Sequence, residues 1–301
     1  MASVSVNAVI RPAASVADFA DLLKLRVNSL VVLTAWCGAF LYRRHLSSGD
    51  LFVTTLGVAS VAAGTAAFNQ ILERDVDGKM IRTARRPLVT GAIKYSTALM
   101  LAIGLVFGGV AYLALSANLL TGSLALLTSL IYLLIYTPSK KLGPWCTTVG
   151  AVSGAMPIVL GWCAVGGQLD GRAALLFLIL YLWQFPHFHA IALLYREDYR
   201  RADIRMLAVT DISGYMIGRE ILICVTLLLC VSTLPFLLHT GNPVYLATTI
   251  GAGTWFGLHA LRVAAALRNS SDVHRLSRNL LRASVLYLPL LLIVLVLNGL
   301  G

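Results

Sequence analysis

Charge is what this chain has least of. Asp, Glu, Lys and Arg make up 12% of the 301 residues, against 58% hydrophobic ones, and only 13 residues are acidic. A soluble domain of this size has no interior large enough for that much apolar surface, and a mean hydropathy of +0.81 excludes that class. Low-complexity segments are absent, which removes disordered and fibrous chains. The alternating apolar–polar pattern of a membrane β-barrel is also missing. Five cysteines (Cys37, Cys146, Cys163, Cys224, Cys230) lie mostly inside apolar runs and make no C-x-x-C pair or Cys/His cluster. That argues against a zinc module, a redox motif or a disulfide frame. The first twenty residues carry one Arg and no compact apolar core ending in a cleavage site, so no cleavable signal is expected.

Long apolar runs are what the chain has instead. Because lipid offers no partner for a free backbone N–H or C=O, such runs must be helices. Nine spans are expected, near 25–42, 51–72, 95–115, 118–136, 146–166, 173–194, 215–238, 244–267 and 281–298, giving an all-α polytopic membrane protein. With the N-terminus placed in the cytoplasm, all of the 24 Lys and Arg residues except Arg43, Arg44 and Arg172 fall on the cytoplasmic side. The basic surplus of +11 is therefore a topology signal, with the C-terminus outside, and no nucleic-acid partner is expected. Residues 1–20 read as a flexible cytoplasmic arm and 21–301 as one membrane domain.

Against this background Asn69–Pro87, N-Q-I-L-E-R-D-V-D-G-K-M-I-R-T-A-R-R-P, stands out. Asn69, Glu73 and Asp77 stand at i, i+4 and i+8 and share one helical face, whereas Asp75 points elsewhere. Hard divalent cations such as Mg²⁺ take oxygen ligands and bridge carboxylates to phosphates. Arg82 and Arg86 close behind have the geometry for phosphate. Read by itself, the stretch is better taken as a solvated loop whose bases set topology. A second charged stretch, Tyr195–Asp211, lies on the same membrane side. More than half of the 13 acids (Glu73, Asp75, Asp77, Glu197, Asp198, Asp203, Asp211) fall in these two loops. Two acidic clusters with Arg around them suggest two metal ions flanking a diphosphate. The loop Tyr136–Pro144 supplies Lys140, and the end of the sixth span supplies Arg196. His187 and His189 follow directly on Pro186. Pro186 is expected to kink the helix, and His187 shares a face with Asp198 if the helix continues that far.

Three strings carry a resemblance: N-Q-I-L-E-R-D-V-D-G-K-M-I-R-T-A-R-R-P-L (69–88), Y-T…G-A-V-S-G-A-M-P-I-V-L-G-W (136–162) and W-Q-F-P-H-F-H-A-I-A-L-L-Y-R-E-D-Y-R-R-A (183–202). They resemble the UbiA superfamily of intramembrane prenyltransferases, and the third resembles its heme-modifying branch. The superfamily's N-x-x-x-D-x-x-x-D falls on Asn69, Glu73 and Asp77, with Glu73 one methylene longer than the usual Asp. Asp198 matches the acid of the second motif, and Asp203 stands where a small residue is expected. The resemblance implies a UbiA-like helical bundle in the bacterial cytoplasmic (inner) membrane, with its active site on the cytoplasmic face. The implied reaction is transfer of the farnesyl group of farnesyl diphosphate to the 2-vinyl group of heme B, with water addition, giving heme O. Asp77, Asp198 and Asn69 would be catalytic. Asn69, Glu73, Asp77, Asp198 and Glu197 would bind Mg²⁺ at two sites. Arg82, Arg86, Lys140 and Arg196 would bind diphosphate, and His187 and His189 heme. Heme A synthase or terminal-oxidase assembly factors would be partners alongside the lipid bilayer. Prenylation of a quinone precursor or chlorophyllide, and cation-coupled transport, are the alternative readings.

Overall fold

A computed structural model describes residues 14–238, 242–269 and 272–298. In chain order the helices are α1 (Val16–Leu22), α2 (Leu25–Tyr42), α3 (Ser48–Leu72), the short turns α4 (Arg74–Asp77) and α5 (Pro87–Thr90), and α6 (Tyr95–Ser116). Next, α7 (Leu119–Leu130) runs through a π-helical segment, Ile131–Tyr136, into α8 (Thr137–Ser139). Then follow α9 (Cys146–Ala164), α10 (Gly171–Leu194), the short α11 (Arg196–Arg201) and α12 (Leu207–Thr210), α13 (Tyr215–Leu237), α14 (Pro243–Asn269) and α15 (Val273–Asn298). Among the described residues, eight helical rods are long and apolar enough to cross a membrane. The continuous 27-residue α14, with Arg262 and Arg268 towards its C-terminal end, is a further long helix of the same bundle.

Side chains fix where the helices begin. Ser47 and Asp50 form a reciprocal capping box at the start of α3, and Arg43 binds Asp50 at 2.6 Å. Asn118 accepts from the Thr121 amide at the start of α7, and Asp170 from the Arg172 and Ala173 amides at the start of α10. The large apolar side chains left on the outside (Leu30, Phe52, Met100, Phe107, Leu134, Ile223, Leu258, Ile293) give the bundle a surface suited to hydrocarbon, not water.

Inside, α3 packs on α6, α2 on α9, and α13 and α15 on α14, while α10 touches α9, α13 and α15. Helices in lipid gain little from apolar burial alone, so close packing and satisfied polar groups decide their association. A Cβ on Gly38 would overlap the carbonyl oxygen of Ile158, and one on Gly161 would overlap that of Ala35. The α2–α9 crossing is therefore backbone against backbone. In the second half the hydroxyl of the fully buried Tyr245 donates to the Ser232 carbonyl at 2.6 Å. Tyr287 meets the Ser232 hydroxyl at 3.3 Å and stacks on Phe256.

Several boundaries differ from the sequence expectation. Residues 1–13 of the expected arm lie outside the described residues, while α1 begins at Val16 behind a Ser15–Asp18 capping box. The stretch expected as a loop from Tyr136 stays helical to Ser139. The Thr137 amide reaches back five residues to the Tyr132 carbonyl, and Pro138 follows it with no amide to donate. α15 starts at Val273, so Arg275, Arg278 and Arg282 lie on its first turns and not in a loop. α10 is continuous across Pro186. It ends at Leu194, so the eleven-residue phase relation between His187 and Asp198 does not hold.

Gly161→Ala should force α2 and α9 apart at a cost of about 1–3 kcal/mol. A melt of the purified protein in detergent should show its midpoint several degrees below wild type. Gly104→Ala, where nothing lies within 4 Å of the new methyl, should melt at or above the wild-type temperature. Equal midpoints for the two variants would remove the crossing as a determinant of stability.

Candidate active site

The charged residues of the first loop converge at one end of the bundle. α3 ends at Glu73, whose φ of −98° and ψ of 7° break the helix, and Asp77 sits at the end of the separate turn α4. The unbroken helix behind the face argument is therefore absent. Its outcome stands all the same: Asn69, Glu73 and Asp77 are buried, and Asp75 is exposed. A run of turns from Gly78 to Arg86 then folds back, held by the Thr83 hydroxyl donating to the Asp77 carbonyl at 2.8 Å. Arg86, extended before Pro87 as that position favours, brings its guanidinium to Asp77 Oδ2 at 2.5 Å.

Two other parts of the chain complete the cluster. Lys140, just past α8, donates to Glu73 Oε1 at 2.6 Å, with its ammonium 4.6 Å from the centroid of the Tyr136 ring. Lys24, in the left-handed conformation between α1 and α2 (φ 47°), donates to Asn69 Oδ1 at 3.1 Å, and Asn69 Nδ2 donates to Thr137 Oγ1 at 3.3 Å. Gln70 holds α1 in place by donating to the carbonyls of Asp21 and Leu22. Tyr132 and Tyr136 lie 5.0 Å apart on the π-helical segment and border the same charges. Three cations thus surround two carboxylates.

Burial alone would raise the Glu73 carboxyl, but the Lys140 charge and hydrogen bond outweigh it and hold Glu73 below its ordinary value. For Asp77 the balance reverses: burial wins over Arg86, and the carboxyl rises. Burial, with Arg86 and Lys140 nearby, pulls the Lys24 amine down to about 8. Asp77 Oδ1 is buried with no hydrogen-bond partner among the described residues. An anionic oxygen left this way is costly unless a cation takes it.

The second loop meets the first through Asp198. Its carboxylate accepts from the amides of Ile81 at 3.3 Å and Arg82 at 3.2 Å, and from the Arg201 guanidinium. Burial would raise this carboxyl, yet these bonds hold it below the ordinary range. Arg82 stacks over Tyr195, 4.9 Å from the ring centroid, with Tyr199 beyond it. The Arg205 amide donates to the Lys140 carbonyl at 2.8 Å, so the two loops share a backbone link.

Other expected site residues are not drawn in. Glu197 is exposed and bound to Arg200 at 2.7 Å, a short-range pair on the surface of α11, so its place as a metal ligand is not supported. Asp203 is exposed in a left-handed turn (φ 54°). Arg196 donates to the Asp211 carbonyl at 3.4 Å. Among the described residues, no three His, Cys, Asp or Glu side chains lie close enough to hold a metal by themselves. The two histidines differ sharply. His187 Nδ1 is 2.8 Å from Ser284 Oγ. His189 is 1% exposed, its Nε2 lies 3.3 Å from Glu220 Oε2, and neither of its ring nitrogens makes a hydrogen bond. Sequence reasoning missed Lys24, Tyr132, Glu220 and Ser284. Lys24 had a signal, a lysine at the very start of a span, but it read as a topology base.

A bundle of membrane-capable helices with a buried, cation-rich cluster around an N-x-x-x-E-x-x-x-D row at one end defines a class, and the comparisons agree with it. The UbiA prenyltransferase family model matches residues 30–296, and the chain belongs to that family. Among its relatives is the protoheme IX farnesyltransferase of Koribacter versatilis (strain Ellin345), 45% identical over 97% of this chain and 96% of its own. That of Solibacter usitatus (strain Ellin6076) is 39% identical over 91% and 96%. Among solved structures, a digeranylgeranylglyceryl phosphate synthase superposes with a TM-score of 0.74 at 16% identity, covering 94% of this chain and 98% of that one. A UbiA homologue from Archaeoglobus fulgidus bound to GPP and Mg²⁺ superposes with a TM-score of 0.61 at 16% identity, over 92% and 99%. At such identities the likeness is one of fold.

Exposed ion pairs contribute on the order of 0–1 kcal/mol. Glu197→Ala should therefore leave prenyl-transfer activity within about threefold of wild type, the rate equivalent of less than 1 kcal/mol. A loss of two orders of magnitude would return Glu197 to the site.

Proposed function

We propose that this protein transfers the farnesyl group of farnesyl diphosphate to the 2-vinyl group of heme B, with addition of water, to give heme O. The observation that carries the reading is the buried cluster of Lys24, Asn69, Glu73, Asp77, Arg86 and Lys140, in a chain 45% identical to a protoheme IX farnesyltransferase. Burying charge costs several kcal/mol per ion unless partners repay it, and a cluster with one cation in excess suits an anionic ligand.

An Mg²⁺ ion fits the first loop, where the donor set is all oxygen and Asp77 Oδ1 is buried without a partner. Asn69, Glu73 and Asp77 would hold it. When bound, the ion neutralises diphosphate charge and eases departure of the leaving group. A second ion is less well supported. Asp198 is engaged with the Ile81 and Arg82 amides and with Arg201, and Glu197 lies outside. Asp198 therefore acts first as the clamp that holds the Arg82 turn.

The remaining steps belong to residues of this chain. Lys140, Arg86 and Lys24 donate hydrogen bonds to the diphosphate oxygens and gain a partner of opposite charge as it binds. Ionisation breaks the allylic C–O bond and releases diphosphate, leaving a carbocation that the faces of Tyr136 and Tyr132 can stabilise. The vinyl group attacks C1 of the farnesyl cation, water captures the new cation, and a proton leaves. The apolar interior keeps bulk water from the first cation until the acceptor has reacted. Nine spans, a cytoplasmic N-terminus and a cytoplasmic active site form the matching topology. Supporting it are the one-sided bases and the bond from Arg44 to the Asn298 carbonyl, which sets the end of α15 beside the exit of α2.

Purified protein with Mg²⁺, farnesyl diphosphate and heme B should yield a pigment with the mass of heme O. Formation of a prenylated aromatic acid, with no heme O, would overturn the acceptor. Asp77→Asn should lower turnover by roughly 10²–10³-fold, the scale of losing one preorganised charge contact. Near-wild-type turnover in that variant, with an unchanged melting temperature, would remove Asp77 from the site.

A further inference from the structure

One histidine is set up by groups the reaction has not used. The Ser284 hydroxyl on α15 donates its single proton to the Leu281 carbonyl at 2.7 Å. Facing His187 Nδ1 at 2.8 Å, it has only lone pairs left to offer. The proton in that contact must then sit on the ring, at Nδ1, and Nε2 keeps its lone pair. Trp183, one turn earlier on α10, stacks on the imidazole with 4.7 Å between ring centroids. Its indole Nε1 donates to the Ser284 carbonyl at 2.8 Å. Ring plane and ring tautomer are thus fixed by one residue of α10 and one of α15. His187 is only partly buried, and no described group occupies Nε2. His189, enclosed and set against Glu220, has no such opening.

We infer that Ser284 and Trp183 are positioning residues that lock His187 with its Nε2 lone pair free to ligate the iron of a metalloporphyrin acceptor. This rests on the proposed reading that the acceptor is heme B. Metal-binding histidines characteristically donate the other ring N–H to an oriented acceptor, which fixes tautomer and direction together. The Ser284 hydroxyl, oriented by Leu281, is such an acceptor. Because it lies 97 residues from His187, α10 and α15 must dock before the ligand exists in usable form.

The test reads the ligand apart from turnover. Ferric heme B is titrated into purified wild type, His187→Ala, Ser284→Ala and Ser284→Thr, and the Soret and visible bands followed. Wild type should give a histidine-ligated spectrum that His187→Ala loses. Ser284→Ala should weaken heme binding by roughly tenfold, and Ser284→Thr, which keeps the hydroxyl, should restore it. Nitrogen NMR of histidine-labelled protein without heme should report Nδ1–H at His187 in wild type and a mixture of tautomers in Ser284→Ala. An unchanged spectrum in His187→Ala, or the same tautomer in wild type and a folded Ser284→Ala, would overturn the inference while heme O synthesis by wild type continues. Failure of wild type to make heme O would instead overturn the underlying reading of function.

Discussion

Everything at the working end of this bundle follows from the cost of burying charge. Glu73 and Asp77 are held away from water, and each is answered by a cation brought from elsewhere: Lys140 from the end of α8 and Arg86 from the turn after α4. Lys24 adds a third positive charge through Asn69. Removing one member of such a pair leaves the other uncompensated, at a cost of about 3–5 kcal/mol. The cluster therefore constrains where α3 ends, how the following loop folds and where the π-helical segment points its tyrosines. In the proposed function, the excess cation and the carboxylate oxygen without a partner would be met by a metal-bridged anion.

The loops that make the cluster are held as one piece. Asp198 accepts from two consecutive backbone amides of the first loop, and the Lys140 carbonyl receives the Arg205 amide. A carboxylate bonded in this way resists moving and resists protonation. An acid in a second motif can thus matter to the reaction by fixing the first loop's cations, whether or not it touches an ion itself. The apolar scaffold has the complementary task. Its tight α2–α9 crossing and the bonds of Tyr245 and Tyr287 to Ser232, which tie α14 and α15 to α13, make a firm frame. Around it lies an apolar exterior that asks for lipid.

Much of this was legible beforehand because membranes impose strict rules. Backbone groups without water must pair locally, so long apolar runs had to be helices, and eight of the nine expected spans meet that standard among the described residues. The burial of Asn69, Glu73 and Asp77 and the exposure of Asp75 were also legible, although the helical phase that suggested them ends at Glu73. Local break signals were weaker. Nothing in L-E-R-D announces the end of α3, and a helix carried through Tyr136-Thr137-Pro138 needs five-residue spacing that periodicity does not reveal.

The chain's own order determined the class of molecule: a multi-helix membrane protein with a charged, oxygen-rich motif at one helix end, because hydropathy and short-range spacing act locally. Only the tertiary structure decided the partners. Lys24 meets Asn69 across 45 residues, Lys140 meets Glu73 across 67, and Ser284 meets His187 across 97. No pattern within a helix encodes those distances. They arise when packed helices bring buried polar groups together, and each such group must then find a partner or bear the full cost of desolvation.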